Sequence, residues 1–145
     1  MQHYKLSKFA GFFRQLQAGS AASLGVLTCA FVYAWVTPIV PRLLAPDSEI
    51  PMGPEEASWM IVMPEFGNFI SAVPAGVLAD RFGRKTVILT SAPIFLIGWI
   101  FIMYFKSLLI LNISRIFQGL AVGIIYTVMP MYLGEIASPK YRGAV

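Results

Sequence analysis

Three scarcities bound what this 145-residue chain can be. It has one cysteine, Cys29, and one histidine, His3. A lone thiol inside an apolar run makes no intrachain disulfide and supplies no zinc site, so Cys29 reads as a small packing residue. A lone histidine in the polar N-terminal stretch gives a metal cluster or a histidine-based catalytic site nothing to build on. Charge is the third scarcity. Only 12% of residues are Asp, Glu, Lys or Arg, about half the share of an ordinary soluble domain. A P-loop, a G-x-G-x-x-G fingerprint and a G-x-S-x-G elbow are also missing. No nucleophile–base pair stands out, so an enzyme is not expected, and no cofactor or metal is implied. The net charge of +4 does not indicate nucleic-acid binding. The basic residues sit in short clusters between long apolar runs, with no basic stripe among exposed aromatics.

What the chain has in abundance is apolar length. Hydrophobic residues make up 57% of it. A hydrocarbon core of about 30 Å takes about 20 helical residues to cross. Four segments meet that length: about 18–40, 57–79, 86–105 and 109–134. The first contains no charge, the second only Glu65, the third none and the fourth only Arg115. The expected fold class is therefore an all-α membrane protein with four transmembrane helices, embedded in a lipid bilayer. The first apolar run is too long for a cleaved signal peptide and reads as a retained span.

Lysine and arginine placement sets the expected orientation. Lys5, Lys8, Arg14, Arg81, Arg84, Lys85, Lys140 and Arg142 fall on one side, and Arg42 and Lys106 on the other. Residues 1–17 are expected as a cytoplasmic N-terminal tail. The loop after the first span, with Asp47, Glu49, Glu55, Glu56 and four prolines, is expected as an irregular external turn. Asn112-Ile113-Ser114 matches a glycosylation sequon, but the adjoining loop is so short that Asn112 should lie at or below the membrane surface, out of reach of glycosylation.

Two motifs carry more than topology. The first is Gly76-Val-Leu-Ala-Asp80-Arg81-Phe-Gly83-Arg84-Lys85. It joins two spans by a very tight turn, at which Gly83 can take a positive φ. Asp80, at the end of a span, can accept from a helix N-terminus or pair with an arginine. A generic basic loop explains Arg81, Arg84 and Lys85 but not the aspartate and two glycines. The second lies in the fourth segment: Arg115-Ile-Phe-Gln118-Gly119, then Gly123, then Pro130-Met-Tyr-Leu-Gly-Glu135-Ile, then Arg142-Gly143. Arg115, Gly119 and Gly123 share one helical face. The glycines permit close helix approach, and Arg115 must lie in protein or water, or snorkel to the outer interface. In the second span Gly67, Ser71, Ala75 and Ala79 form one row of small residues. Asn68, Ala72, Gly76 and Asp80 form another, and both suggest tight packing. Pro38, Pro64 and Pro74 should bend their helices.

The first motif resembles the G-x-x-x-D-R-x-G-R-K signature between the second and third helices of the major facilitator superfamily. The second resembles the R-x-x-Q-G and P-x-Y-x-x-E-I…R-G runs of its sugar porter branch. The chain as a whole looks most like the facilitated trehalose transporters of insects and their relatives. The resemblance implies the first four helices of a twelve-helix transporter. It implies a small-molecule sugar as substrate, a plasma-membrane location and alternating access between two halves. The C-terminal half, outside this chain, would be its partner and would supply most sugar contacts. The chain stops within a family motif, so a fragment of a longer product is expected, without transport of its own. It further implies that Glu135, Arg142 and Arg84 form a charge network that latches the outward-open state. Proton-coupled members carry an aspartate in the first helix where Val32 stands here, which favours facilitated diffusion over symport. The alternatives are a truncated four-span protein that does not transport and a proton-coupled sugar symporter. Finally, Glu65 and Arg115 lie at similar depths from the same side, so a buried ion pair between them is expected.

Overall fold

A computed structural model describes residues 2–136, with side chains from 15 onwards. Five helices account for nearly all of it: α1 (Gln2–Ala34), α2 (Val36–Leu43), α3 (Pro54–Phe82), α4 (Arg84–Tyr104) and α5 (Leu108–Ile136). Among the described residues four stretches are long and apolar enough to cross a membrane: Gln15–Leu43, Pro54–Phe82, Arg84–Tyr104 and Leu108–Ile136. The chain is an all-helical, multi-pass membrane protein. The 29 residues of α3 and of α5 rise about 43 Å each, so their ends project beyond the hydrocarbon layer. That is why these helices outrun the apolar segments.

The first span is not one helix. It stops at Ala34 and restarts at Val36. Pro38 has no N–H to give the Ala34 carbonyl, and its ring crowds that carbonyl. The interruption falls at Trp35, which still donates to Phe31 O at 3.0 Å. At the start of α3, Pro54 occupies the first turn and Glu55 and Glu56 follow. There a proline loses nothing, and carboxylates favour the dipole. The Glu56 carboxylate accepts from the Gly53 N–H at 2.8 Å.

α5 is the hub. Its buried residues, among them Leu111, Arg115, Gln118, Val122, Ile125 and Val128, point to several sides, and α1, α3 and α4 all pack on it. α3 meets α5 along Pro64, Gly67, Ser71, Ala75 and Ala79, all buried, so the first small-residue row is the interface. Backbones touch there. A Cβ on Gly119 would sit 2.7 Å from the Pro64 carbonyl carbon, and one on Gly67 would sit 2.8 Å from Leu120 N. The second row is less enclosed, ending in exposed Asp80. α4 reaches α5 through Val87, Ser91, Phe95 and Gly98. Large apolar side chains elsewhere face outwards, Phe69 at 83% and Val73 at 76% exposure, as a membrane-embedded surface requires.

Candidate functional site

At the end of the bundle where α3 turns into α4, a single residue makes the connection. Gly83 has φ 87°, a conformation that glycine alone takes without strain. Its N–H donates to Ala79 O at 3.1 Å and its carbonyl accepts from Val87 N–H at 3.3 Å. The turn therefore closes one helix and opens the next with no residue to spare. It also sets Arg84 one turn beyond Asp80. The Arg84 guanidinium pairs with Asp80 through Nη1 and donates from Nε to Glu135 Oε1 at 3.1 Å. One cation thus ties α3, α4 and the far end of α5 together. Of the two options open to Asp80, the structure takes the arginine pair. Arg84 is 21% exposed, Glu135 56% and Asp80 70%. Arg81 and Lys85 are exposed and Gly76 is half-buried. Arg142 and Gly143 lie outside the described residues.

The second site is Arg115, fully buried on α5. Its Nη1 donates to Val32 O at 2.8 Å and to Gln118 Oε1 at 3.0 Å, and its Nε makes a long 3.5 Å contact with Met60 O. The Trp35 ring lies under the guanidinium, 5.4 Å from its carbon to the ring centroid. The backbone acceptors share a cause. Val32 lies in the last turn of α1, where carbonyls have no helical successor. Met60 is four residues before Pro64, which cannot donate to it. Arg115 therefore satisfies carbonyls that a helix end and a proline leave open. The C-terminal end of α1 also carries partial negative charge, which suits a cation. Gln118 packs against Gly98, whose Cβ would fall 2.8 Å from Gln118 Cγ.

The expected Glu65–Arg115 ion pair is not formed. Among the described residues the ion pairs are Arg84–Asp80, Arg84–Glu135 and Lys106–Glu49. Glu65 is exposed, and its Oε2 accepts from Asn68 Nδ2 at 3.4 Å. Depth along the helices matches, but direction around them does not. The row Pro64–Gly67–Ser71 faces α5, and at 100° per residue Glu65 is carried off that face. Arg115 does not snorkel either.

Sequence reasoning missed two features. Lys106 Nζ meets Glu49 Oε2 at 2.8 Å, joining the two loops at the opposite end of the bundle from Gly83. The Lys106 ammonium holds the Glu49 carboxyl below its ordinary range, first through the hydrogen bond and then through its charge. The other feature is the Trp35–Trp99 edge contact, centroids 6.3 Å apart, which sets a ring of α4 against the break between α1 and α2. Neither had a signal in spacing or composition. The sequon residue Asn112 is half-buried, with its Oδ1 shielded and without a hydrogen-bond partner among the described residues.

The profile of the family described as "Sugar (and other) transporter" matches residues 53–145, the stretch that holds Arg84 and Arg115, and the chain belongs to that family. It is 28% identical over 134 residues to the facilitated trehalose transporter Tret1 of Polypedilum vanderplanki, covering 92% of this chain and 27% of the relative. It is 29% identical over 131 residues to Tret1 of Bombyx mori, covering 90% and 25%. It is 34% identical over 131 residues to solute carrier family 2, facilitated glucose transporter member 8, of Bos taurus, covering 90% and 27%. The chain spans about a quarter of the length of these relatives.

Proposed function

We propose that this chain forms the first four spans of a plasma-membrane transporter that carries trehalose or a hexose by alternating-access facilitated diffusion. Residues 1–17 and the Gly83 turn lie on the cytoplasmic side, and the C-terminal half of the full-length transporter is its partner. The observation that carries the reading is the Arg84 bridge to Asp80 and Glu135. Both pairs are partly exposed, so solvent and salt leave each of them weak. A latch that opens on every cycle needs pairs of that strength: enough together to bias one state, too weak to trap it.

Diffusion without proton coupling is supported by the surroundings of Arg115. The position that holds an aspartate in proton-coupled relatives is Val32, and Arg115 takes its backbone carbonyl instead. A carbonyl does not titrate, so Arg115 is held equally at any working pH.

The test is uptake of labelled trehalose and glucose by the full-length transporter in liposomes. Saturable uptake that follows the sugar gradient and ignores a collapsed pH gradient is expected. Absence of uptake for every sugar would refute the transport reading. Uptake driven by a proton gradient would refute the uncoupled mechanism.

A further inference from the structure

Arg115 is buried with its charge, and its hydrogen-bonding capacity is only partly used. Nη1 and Nε make the contacts to Val32 O, Gln118 Oε1 and Met60 O. Nη2 makes none among the described residues. Gln118, one turn on in α5, is in the same position. Its Oε1 accepts from Arg115, while its Nε2 has no partner among the described residues. Both residues are 0% exposed. Among the described residues, the other buried side-chain polar atom without a partner is Asn112 Oδ1, one turn before Arg115. All three atoms therefore come from one strip of α5, at three-residue spacing and about 9 Å long.

The two idle donors flank a single hydrogen bond. Nη1 and Oε1 are 3.0 Å apart, and Nη2 and Nε2 each share a carbon with one end of that contact. One oxygen that accepts from both can span donors up to about 6 Å apart. A buried donor left unmade is costly, and more so inside a bilayer, where lipid offers no acceptor.

We propose that Arg115 Nη2 and Gln118 Nε2 bind an internal water molecule, and that the strip out to Asn112 hydrates this cation within the bundle. Enclosure limits the size of the ligand: at 0% exposure neither a sugar nor a side chain from beyond the four helices reaches these nitrogens. Water offers two lone pairs, one for each donor, and Asn112 Oδ1 offers an acceptor for one of its hydrogens. Buried waters typically make about three hydrogen bonds to groups otherwise unsatisfied, and these three atoms supply that number. A metal cation is repelled by the guanidinium. A halide would suit the two donors but not Asn112 Oδ1, and the charge is already offset by the Val32 and Gln118 oxygens and the Trp35 ring. Asn112 is half-buried and lies nearer the end of the bundle opposite Gly83, so water enters from that end. The inference is independent of the sugar reading: whatever the chain carries, water stands beside Arg115 where an acidic partner would otherwise pair with it.

The experiment uses crystals of the full-length transporter that diffract far enough to show ordered water, grown in chloride and soaked in bromide. The expected result is a density peak about 2.7–3.2 Å from both Arg115 Nη2 and Gln118 Nε2, without anomalous signal after the bromide soak. Gln118→Glu is nearly isosteric. Its carboxylate replaces the idle amide donor and can accept from both Nη1 and Nη2. That variant should lose the peak and keep the Arg115 contact to Val32 O; if it does not fold, the wild-type density decides alone. A bromide signal at the site would overturn the water in favour of an anion. Well-ordered side chains with no peak, or a protein acceptor on both nitrogens in the complete transporter, would overturn the site itself. So would a peak that persists undiminished in Gln118→Glu.

Discussion

Arg115 donates from Nη1 to the backbone carbonyl of Val32 at 2.8 Å, so the cation buried in the fourth span is held by main chain and not by an acid. The same guanidinium reaches Gln118 and, at longer range, the Met60 carbonyl left open by Pro64. Three helices are thereby fastened at one point. A lysine offers one compact ammonium where the guanidinium offers a planar fork. Arg115→Lys should therefore lose at least one charged hydrogen bond, about 1.5–3 kcal/mol. A fall in melting temperature of the detergent-solubilised protein measures it. Unchanged melting would mean that the fork geometry is not used.

The α3–α5 interface tolerates no side chain at its crossing. Pro64 and Gly119 meet backbone to backbone, and Gly123 lies so close that a Cβ would fall 2.6 Å from Asn68 O. Neither contact can yield by turning a flexible side chain. Gly119→Ala should force the helices apart and cost roughly 1–3 kcal/mol. Gly134→Ala, where nothing lies within 4 Å, should be close to neutral. Thermal unfolding of the two variants side by side makes the comparison; equal losses would contradict the packing.

Glu49 titrates below an ordinary carboxylate because Lys106 donates to it. A lowered folded value means that the contact is fully present above the unfolded carboxylate pKa and is lost as pH falls through the folded one. Both partners are largely exposed, so salt should weaken the effect. An NMR titration of the Glu49 side-chain carboxyl should show the depressed midpoint. Lys106→Met should return it towards the usual range. A midpoint indifferent to Lys106 would remove the contact between the two loops.

Much of this arrangement is legible in the sequence, and the parts that are not share a reason. The spans follow from uninterrupted apolar length, the Gly83 turn from a glycine between two helices with no other residue to spare, and the α3 interface from small residues four apart. The Arg84–Glu135 contact matches part of the network that the family resemblance implies, and the Arg84–Asp80 pair is one of the two options that the position of Asp80 leaves open. Glu65 and Arg115 show where such reasoning stops. Counting residues gives depth, but the rotation of α3 is set by which row packs on α5, and that rotation carries Glu65 away. The anchoring of Arg115 was hidden for a related reason: its acceptors are backbone atoms, which no residue pattern marks. The Glu49–Lys106 contact depends on loop paths, for which spacing gives no rule.

The central claim is that Arg84 acts with Asp80 and Glu135 as one latch on sugar transport. A double-mutant cycle on labelled sugar uptake by the full-length transporter tests it most directly, comparing Arg84→Ala, Glu135→Ala and the pair together. Groups that act through one contact are not additive. The expected result is that each single change slows uptake and the double variant is no slower than Arg84→Ala alone. Losses that multiply, each change acting as though the other residue were untouched, would contradict the latch.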